Sequence, residues 1–192
     1  MGTIVATSCG IIDEDFRQEF YKILSKPELK EKKILYITTA VDGEDDDDRS
    51  WMDKEFETIL NLGFKRENIT EYKIGNEIKV EDFDIIYMMG GNSFYLLDMI
   101  RKFNFDDSIR EFLKNGKIYI GSSAGSQVLG KSVEVSIDEN KIGMTDFTAL
   151  GLIDGLIIPH ANSKKEFLEE WKKKTNEKII PLYDGGGIIY QI

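Results

Sequence analysis

With 192 residues, the chain is long enough to bury one sizeable apolar core and short enough to be read as a single domain, 1–192. Its 35 acidic residues against 25 basic ones leave a formal charge of -10, which disfavours a phosphate-binding face and excludes nucleic acid as the expected partner. The one cysteine, Cys9, cannot form an internal disulfide, and there is neither a signal-like leader nor an apolar run of transmembrane length, so the expected location is cytoplasmic with no membrane partner.

Contiguous β-branched and apolar residues in Thr3 to Ser8 and in Lys33 to Thr38 predict short buried strands. Phe16, Phe20 and Leu24 recur at helical spacing between them, and Trp51, Phe56, Ile59 and Leu60 mark a second helix that stops at Gly63. The intervening run Asp42-Gly43-Glu44-Asp45-Asp46-Asp47-Asp48 reads as a solvated loop or helix N-terminus, because adjacent carboxylates repel one another and do not define convergent metal ligands.

Ile69 to Ile74 predict an outer strand and Phe83 to Met89 a stronger one. Phe94, Leu97 and Ile100 suit one helix, and Ile109, Phe112 and Leu113 suit another that ends before Gly116. Lys117-Ile118-Tyr119-Ile120 then reads as a central strand. The weak periodicity of Lys131 to Leu150 is expected to hold a hairpin or a long active-site loop. Leu152 to Ile158 resumes the strand pattern, and Phe167, Trp171 and Lys174 punctuate a helix. Ile179-Ile180-Pro181 and Gly187-Ile188-Ile189-Tyr190 predict two short strands on either side of Asp184. Strand and helix signals that alternate in this way predict a three-layer α/β domain.

Gly121-Ser122-Ser123-Ala124-Gly125 has the G-x-S-x-G form, between the strand at Lys117 to Ile120 and a segment able to open a helix. Such a turn can expose a nucleophilic oxygen, and Ser123 is its central serine; the alternative is a glycine-rich turn whose serines merely cap the helix. A nucleophile needs a base, and the chain has a single histidine, His160, placed after the strand-like Leu156-Ile157-Ile158-Pro159. Asp184 follows a later strand and would orient it. The order Ser, His, Asp differs from the Ser, acid, His order of the α/β-hydrolases, so that fold is not the one expected. Backbone amides of Gly91 and Ala124 are the expected oxyanion donors, with Met89-Gly90-Gly91-Asn92 following a strand directly. Asn92 is read as a substrate-binding or scaffold contact.

At these residues the chain resembles the dipeptidase E family of serine peptidases, which includes cyanophycinase relatives. Met89-Gly90-Gly91-Asn92-Ser93-Phe94-Tyr95-Leu96-Leu97 resembles its oxyanion segment, Gly121 to Gly125 its nucleophile elbow, and Gly151-Leu152 with Pro159-His160 its histidine segment. The resemblance implies a doubly wound, mostly parallel sheet of the class I glutamine amidotransferase type, with Ser123 as nucleophile, His160 as base and Asp184 where the family's dipeptidases have an acidic third residue. It further implies a small peptide as substrate, with aspartyl dipeptides among those the family cleaves; no cofactor or metal is expected. The family's substrate-binding arginine lies between its histidine and acid, whereas this chain has no arginine after Arg110; Lys164 or Lys165 would have to supply a positive charge. Two alternatives remain: a noncatalytic small-molecule or peptide-binding relative, and an amidotransferase-like cysteine enzyme acting through Cys9.

Overall fold

The contiguous apolar runs become the strands of one central sheet. In a computed structural model, which describes residues 2–45 and 48–192, β1 (Thr3–Thr7), β2 (Ile34–Ile37), β3 (Ile69–Tyr72), β4 (Ile85–Met88), β5 (Ile118–Ser122) and β8 (Gly187–Gln191) line up in the order β3-β2-β4-β5-β1-β8. The first five run parallel, and β8 pairs antiparallel with β1 from Thr3↔Gln191 to Thr7↔Gly187. β1, β2 and β4 are buried along their whole length, which is why they read as solid apolar runs and not as an alternation.

Successive side chains of a strand point to opposite faces, so each strand feeds two cores. On one face Val5, Tyr36, Tyr87 and Ile120 meet Phe16 and Phe20 of α1 (Glu14–Ile23) and Ile59 and Leu62 of α3 (Ser50–Leu62); Leu29 of the short α2 (Lys26–Leu29) joins them. On the other face Ile4, Leu35, Ile86 and Tyr119 meet Leu97 and Ile100 of α4 (Ser93–Lys102) and Ile109 and Phe112 of α5 (Phe105–Lys114). Each fully buried side chain of this kind contributes about 1.5–3 kcal/mol relative to exposure. The mostly parallel sheet with helices on both faces is the α/β architecture expected.

One expectation needs correction. Leu152 to Ile158 is a strand only from Leu156: β6 (Leu156–Ile158) follows a bend through Gly155, and with β7 (Ile179–Pro181) it forms a separate two-stranded parallel sheet instead of extending the main one. This satellite has its own small core, in which Val135, Leu156 and Ile158 pack with Leu168 of α7 (Lys165–Lys174). Residues 131–150 form a long loop pinned by one antiparallel bridge, Ser132↔Thr148, and not a regular hairpin. In the acidic run, Asp42 pairs with Lys73 and Asp45 with Lys141, while Asp48 accepts from the Ser50 amide; Asp46 and Asp47 lie outside the described residues. Among the described residues no helix is long and apolar enough to cross a membrane.

Candidate active site

Parallel strands carry their functional groups at their C-terminal ends, and here β1, β4 and β5 end together. The register Thr7↔Ser122 and Met88↔Gly121 brings Ser8, Gly90 and Ser123 to one edge. The two serines of the elbow and Ser126 just after it have three different fates. Ser126, in the short α6 (Ala124–Gln127), ties the elbow to β1: its hydroxyl donates to Thr7 O at 2.8 Å and accepts from Thr7 N at 2.9 Å. Ser122 is fully buried on the α3 side of the sheet. Ser123 stands between them at φ 47, ψ -110, a region that costs a non-glycine residue about 1–3 kcal/mol.

That strain is held by its surroundings. The Ser123 amide donates to Thr7 O at 3.1 Å, and Tyr119 Oη donates to Gly125 O at 2.7 Å. A Cβ at Gly125 would lie 2.0 Å from Met88 O, so only glycine lets α6 pass so close to β4. Ser123 occupies the N-cap position of α6, but its side chain makes no capping bond there; its oxygen lies 3.1 Å from His160 Nε2.

His160 comes from the satellite. It follows β6 in a left-handed conformation, φ 58 and ψ 38, and its Nδ1 lies 2.8 Å from Asp184 Oδ1. With Nδ1–H donating to the carboxylate, Nε2 is bare and faces Ser123 as an acceptor. Asp184 sits in the connection from β7 to β8, where its amide donates to Asn162 Oδ1 at 2.6 Å. Partial burial opposes its charge, but hydrogen bonds from Ser8 and His160, with the attraction of His160, outweigh that and hold the carboxyl below its ordinary range.

Sequence reasoning missed Ser8. Fully buried at the end of β1, it donates to Asp184 Oδ1 at 2.6 Å and accepts from the His160 amide at 2.8 Å, so one hydroxyl fastens both satellite residues to the main sheet. Its signal was positional: in a parallel sheet the residue just past β1 lies beside the residue just past its neighbour β5.

Gly90 and Gly91 border the same edge. A Cβ on Gly90 would stand 3.0 Å from Ser123 Cβ, and Gly91 has φ 130 with no room for a Cβ, which would fall 2.5 Å from the Ala40 carbonyl. Ala124 is buried directly after Ser123. The Asn92 Oδ1 caps α4 through Tyr95 N at 3.0 Å, its Nδ2 donates to Glu139 O at 2.9 Å, and the residue is not among those lining the cavity.

Ser123 and His160 open onto a cavity of about 520 Å³, within the usual range for a small-molecule site. The 131–150 loop contributes Ser136, Ile137 and Asp138, and α3 contributes Trp51, Lys54, Glu55 and Thr58. Of the two lysines considered, Lys164 lines the cavity, with burial lowering its pKa against the pull of Asp138 and Asp184, while Lys165 is exposed and does not. Cys9 also lines it, but burial raises its thiol pKa, so the reactive thiolate is disfavoured.

Compared with known proteins, residues 4–191 match the family described as Peptidase family S51. An uncharacterised peptidase of Listeria monocytogenes is 30% identical over 169 residues, 85% of this chain and 80% of that protein. A peptidase E of Shewanella amazonensis is 34% identical over 110 residues, 57% of this chain and 46% of its own length. A solved structure of a candidate peptidase E from Listeria monocytogenes superimposes with a TM-score of 0.79 at 25% identity, covering 100% of this chain and 99% of that one. A peptidase from an acI-B1 actinobacterium reaches 0.67 at 19% identity over 100% and 84%, a likeness of fold alone.

Proposed function

Because the chain belongs to peptidase family S51 and is a serine-type peptidase, we propose that Ser123, His160 and Asp184 are its catalytic groups and that it hydrolyses small peptides, dipeptides among them, through an acyl-enzyme. The observation that carries this reading is the unbroken chain of contacts from Ser123 Oγ to His160 Nε2 and from His160 Nδ1 to Asp184, at the edge of the cavity. His160 takes the hydroxyl proton as Ser123 attacks the scissile carbonyl. The amides of Gly91 and Ala124 receive the charge that develops on the carbonyl oxygen. The imidazolium, steadied by ionised Asp184, then returns the proton to the departing amine, and water repeats the cycle to release the acid.

Lys164 supplies a positive charge for the terminal carboxylate of the departing residue. The lining basic residues are Lys54 and Lys164, with no arginine among the described lining residues, while the acidic residues Glu44, Glu55 and Asp138 also line the cavity. Aspartyl dipeptides are therefore not the favoured substrates in this reading. The test is a panel of defined dipeptides, aspartyl-X included, incubated in parallel with the wild type and Ser123→Ala, together with labelling by a fluorophosphonate. Turnover and labelling confined to the wild type are expected; equal hydrolysis by both proteins sinks the mechanism.

A further inference from the structure

The part of the cavity lined by α3 and Ser122 has the composition of a specificity pocket. We propose that it accepts a basic side chain, lysyl or arginyl, on the residue that contributes the scissile carbonyl, and that Glu55 is the specificity-determining group. This rests on Ser123 being the nucleophile: Ser122, its neighbour in the chain, forms part of the floor on which the acyl residue's side chain would rest.

Glu55 is turned inward from α3, 8% exposed, and is the one acidic side chain buried to that degree among the described residues. Tyr87 Oη donates to its Oε1 at 2.9 Å, which leaves most of the carboxylate's acceptor capacity unused. No ion pair reaches it among the described residues, not even from Lys54, the preceding residue of the helix. Beside it, the hydroxyl of Ser122 is wholly buried with no hydrogen-bond partner; it is near enough to favour the charged form of Glu55 without bonding to it in good geometry.

A buried acid without a counter-ion and an orphan hydroxyl are each costly, and both line the same cavity. A single incoming ammonium or guanidinium group would satisfy the two together. Trp51 and Ile12 give the cavity apolar wall for the methylene stem of such a side chain, whose head alone needs polar partners. The lining charge agrees, with Glu44, Glu55 and Asp138 facing the cavity against Lys54 and Lys164. A substrate aspartate placed here would meet like charge.

The test compares two aminoalkylphosphonate diphenyl esters, one with the lysine side chain and one with the norleucine side chain of similar length but no charge. The rate constant for labelling Ser123 is read by intact-mass spectrometry. We expect the lysine reagent to label the wild type faster by about tenfold or more, as for a charge-assisted contact, and the ratio to fall to near unity in Glu55→Gln. A role for Glu55 limited to holding Tyr87 would leave that ratio unmoved. Equal rates in the wild type, or a preference that survives Glu55→Gln, overturn the proposal; because the wild-type ratio decides by itself, a poorly folding variant does not rescue it. If Ser123 is labelled by neither ester nor a plain fluorophosphonate, the nucleophile assignment falls and the subsite with it. Labelling without charge preference removes the subsite alone.

Discussion

The end of β5 and the β6–β7 satellite hold their functional groups in opposite ways. Ser123 emerges from a strand packed between β4 and β1 and keeps a strained backbone because buried partners on every side fix it. His160 and Asp184 stand beside a two-stranded sheet outside the main one, with side chains 39% and 44% exposed, and are fastened to the main sheet by Ser8, while His160 Nε2 meets Ser123 directly. Core packing thus sets the position of Ser123, whereas a few directed hydrogen bonds set the positions of His160 and Asp184.

The contrast can be broken or sharpened by substitution. The largest effect belongs to Ser123→Ala, with kcat expected to fall about 10⁴-fold or more while the melting temperature changes little, as measured by dipeptide turnover and calorimetry. Asp184→Asn should cost about 10²–10⁴-fold in kcat by losing the partner that orients His160. Ser8→Ala tests the fastening itself. Loss of one hydrogen bond to a charged group predicts a fall in kcat of about 10–100-fold, greater than any change in KM. Without that bond Asp184 is protonated more easily, so the acid limb of the kcat–pH profile should move to higher pH. An unchanged profile would show that Ser8 does not position the acid.

The smallest effect concerns stability, where Asp184 and Glu55 act with opposite signs. Asp184, with its carboxyl held below the ordinary range, contributes stability above its unfolded value of about 3.9 and loses it as the pH falls through the folded value; its exposure keeps the contribution small. Glu55 is raised, chiefly by burial. The folded state therefore holds its proton more tightly, and stability declines as the pH rises above the unfolded value of about 4.3. Glu55→Gln should melt higher than the wild type at pH 7–8, with the advantage vanishing near pH 4. A gain that is the same at both pH values would show that the charge is not its source.

What was legible in the sequence follows the same division. Strands buried on both faces announce themselves as unbroken apolar runs, and the elbow, the lone histidine and the acid each stand beside such a run. The satellite was not legible, because Leu156-Ile157-Ile158 and Ile179-Ile180-Pro181 look like any other buried strands, and nothing local says which sheet they join. Ser8 and Glu55 were missed for a related reason. One follows a strand and the other lies in a helix with ordinary polar neighbours, and only the packing of β1 beside β5, and of α3 over them, gives either a special place. Asn92 could be read as substrate contact or scaffold from its position after the glycines, and nothing local announced the two side-chain bonds it makes to Tyr95 and Glu139.

The antiparallel strand β8 bears on how the chain reaches this state. β1 is the first strand in sequence, yet one of its two hydrogen-bonding edges is filled by residues 187–191, near the far end of the chain. A growing polypeptide that has completed β1 to β5 presents Ile4, Val5 and Ala6 along a bare ladder, the kind of edge that recruits strands from other molecules. Contacts so distant in sequence are also slow to close. Self-association during synthesis should therefore be governed by how quickly β8 docks, and a chaperone that shields an unpaired edge would protect this protein before Ser123, His160 and Asp184 have met.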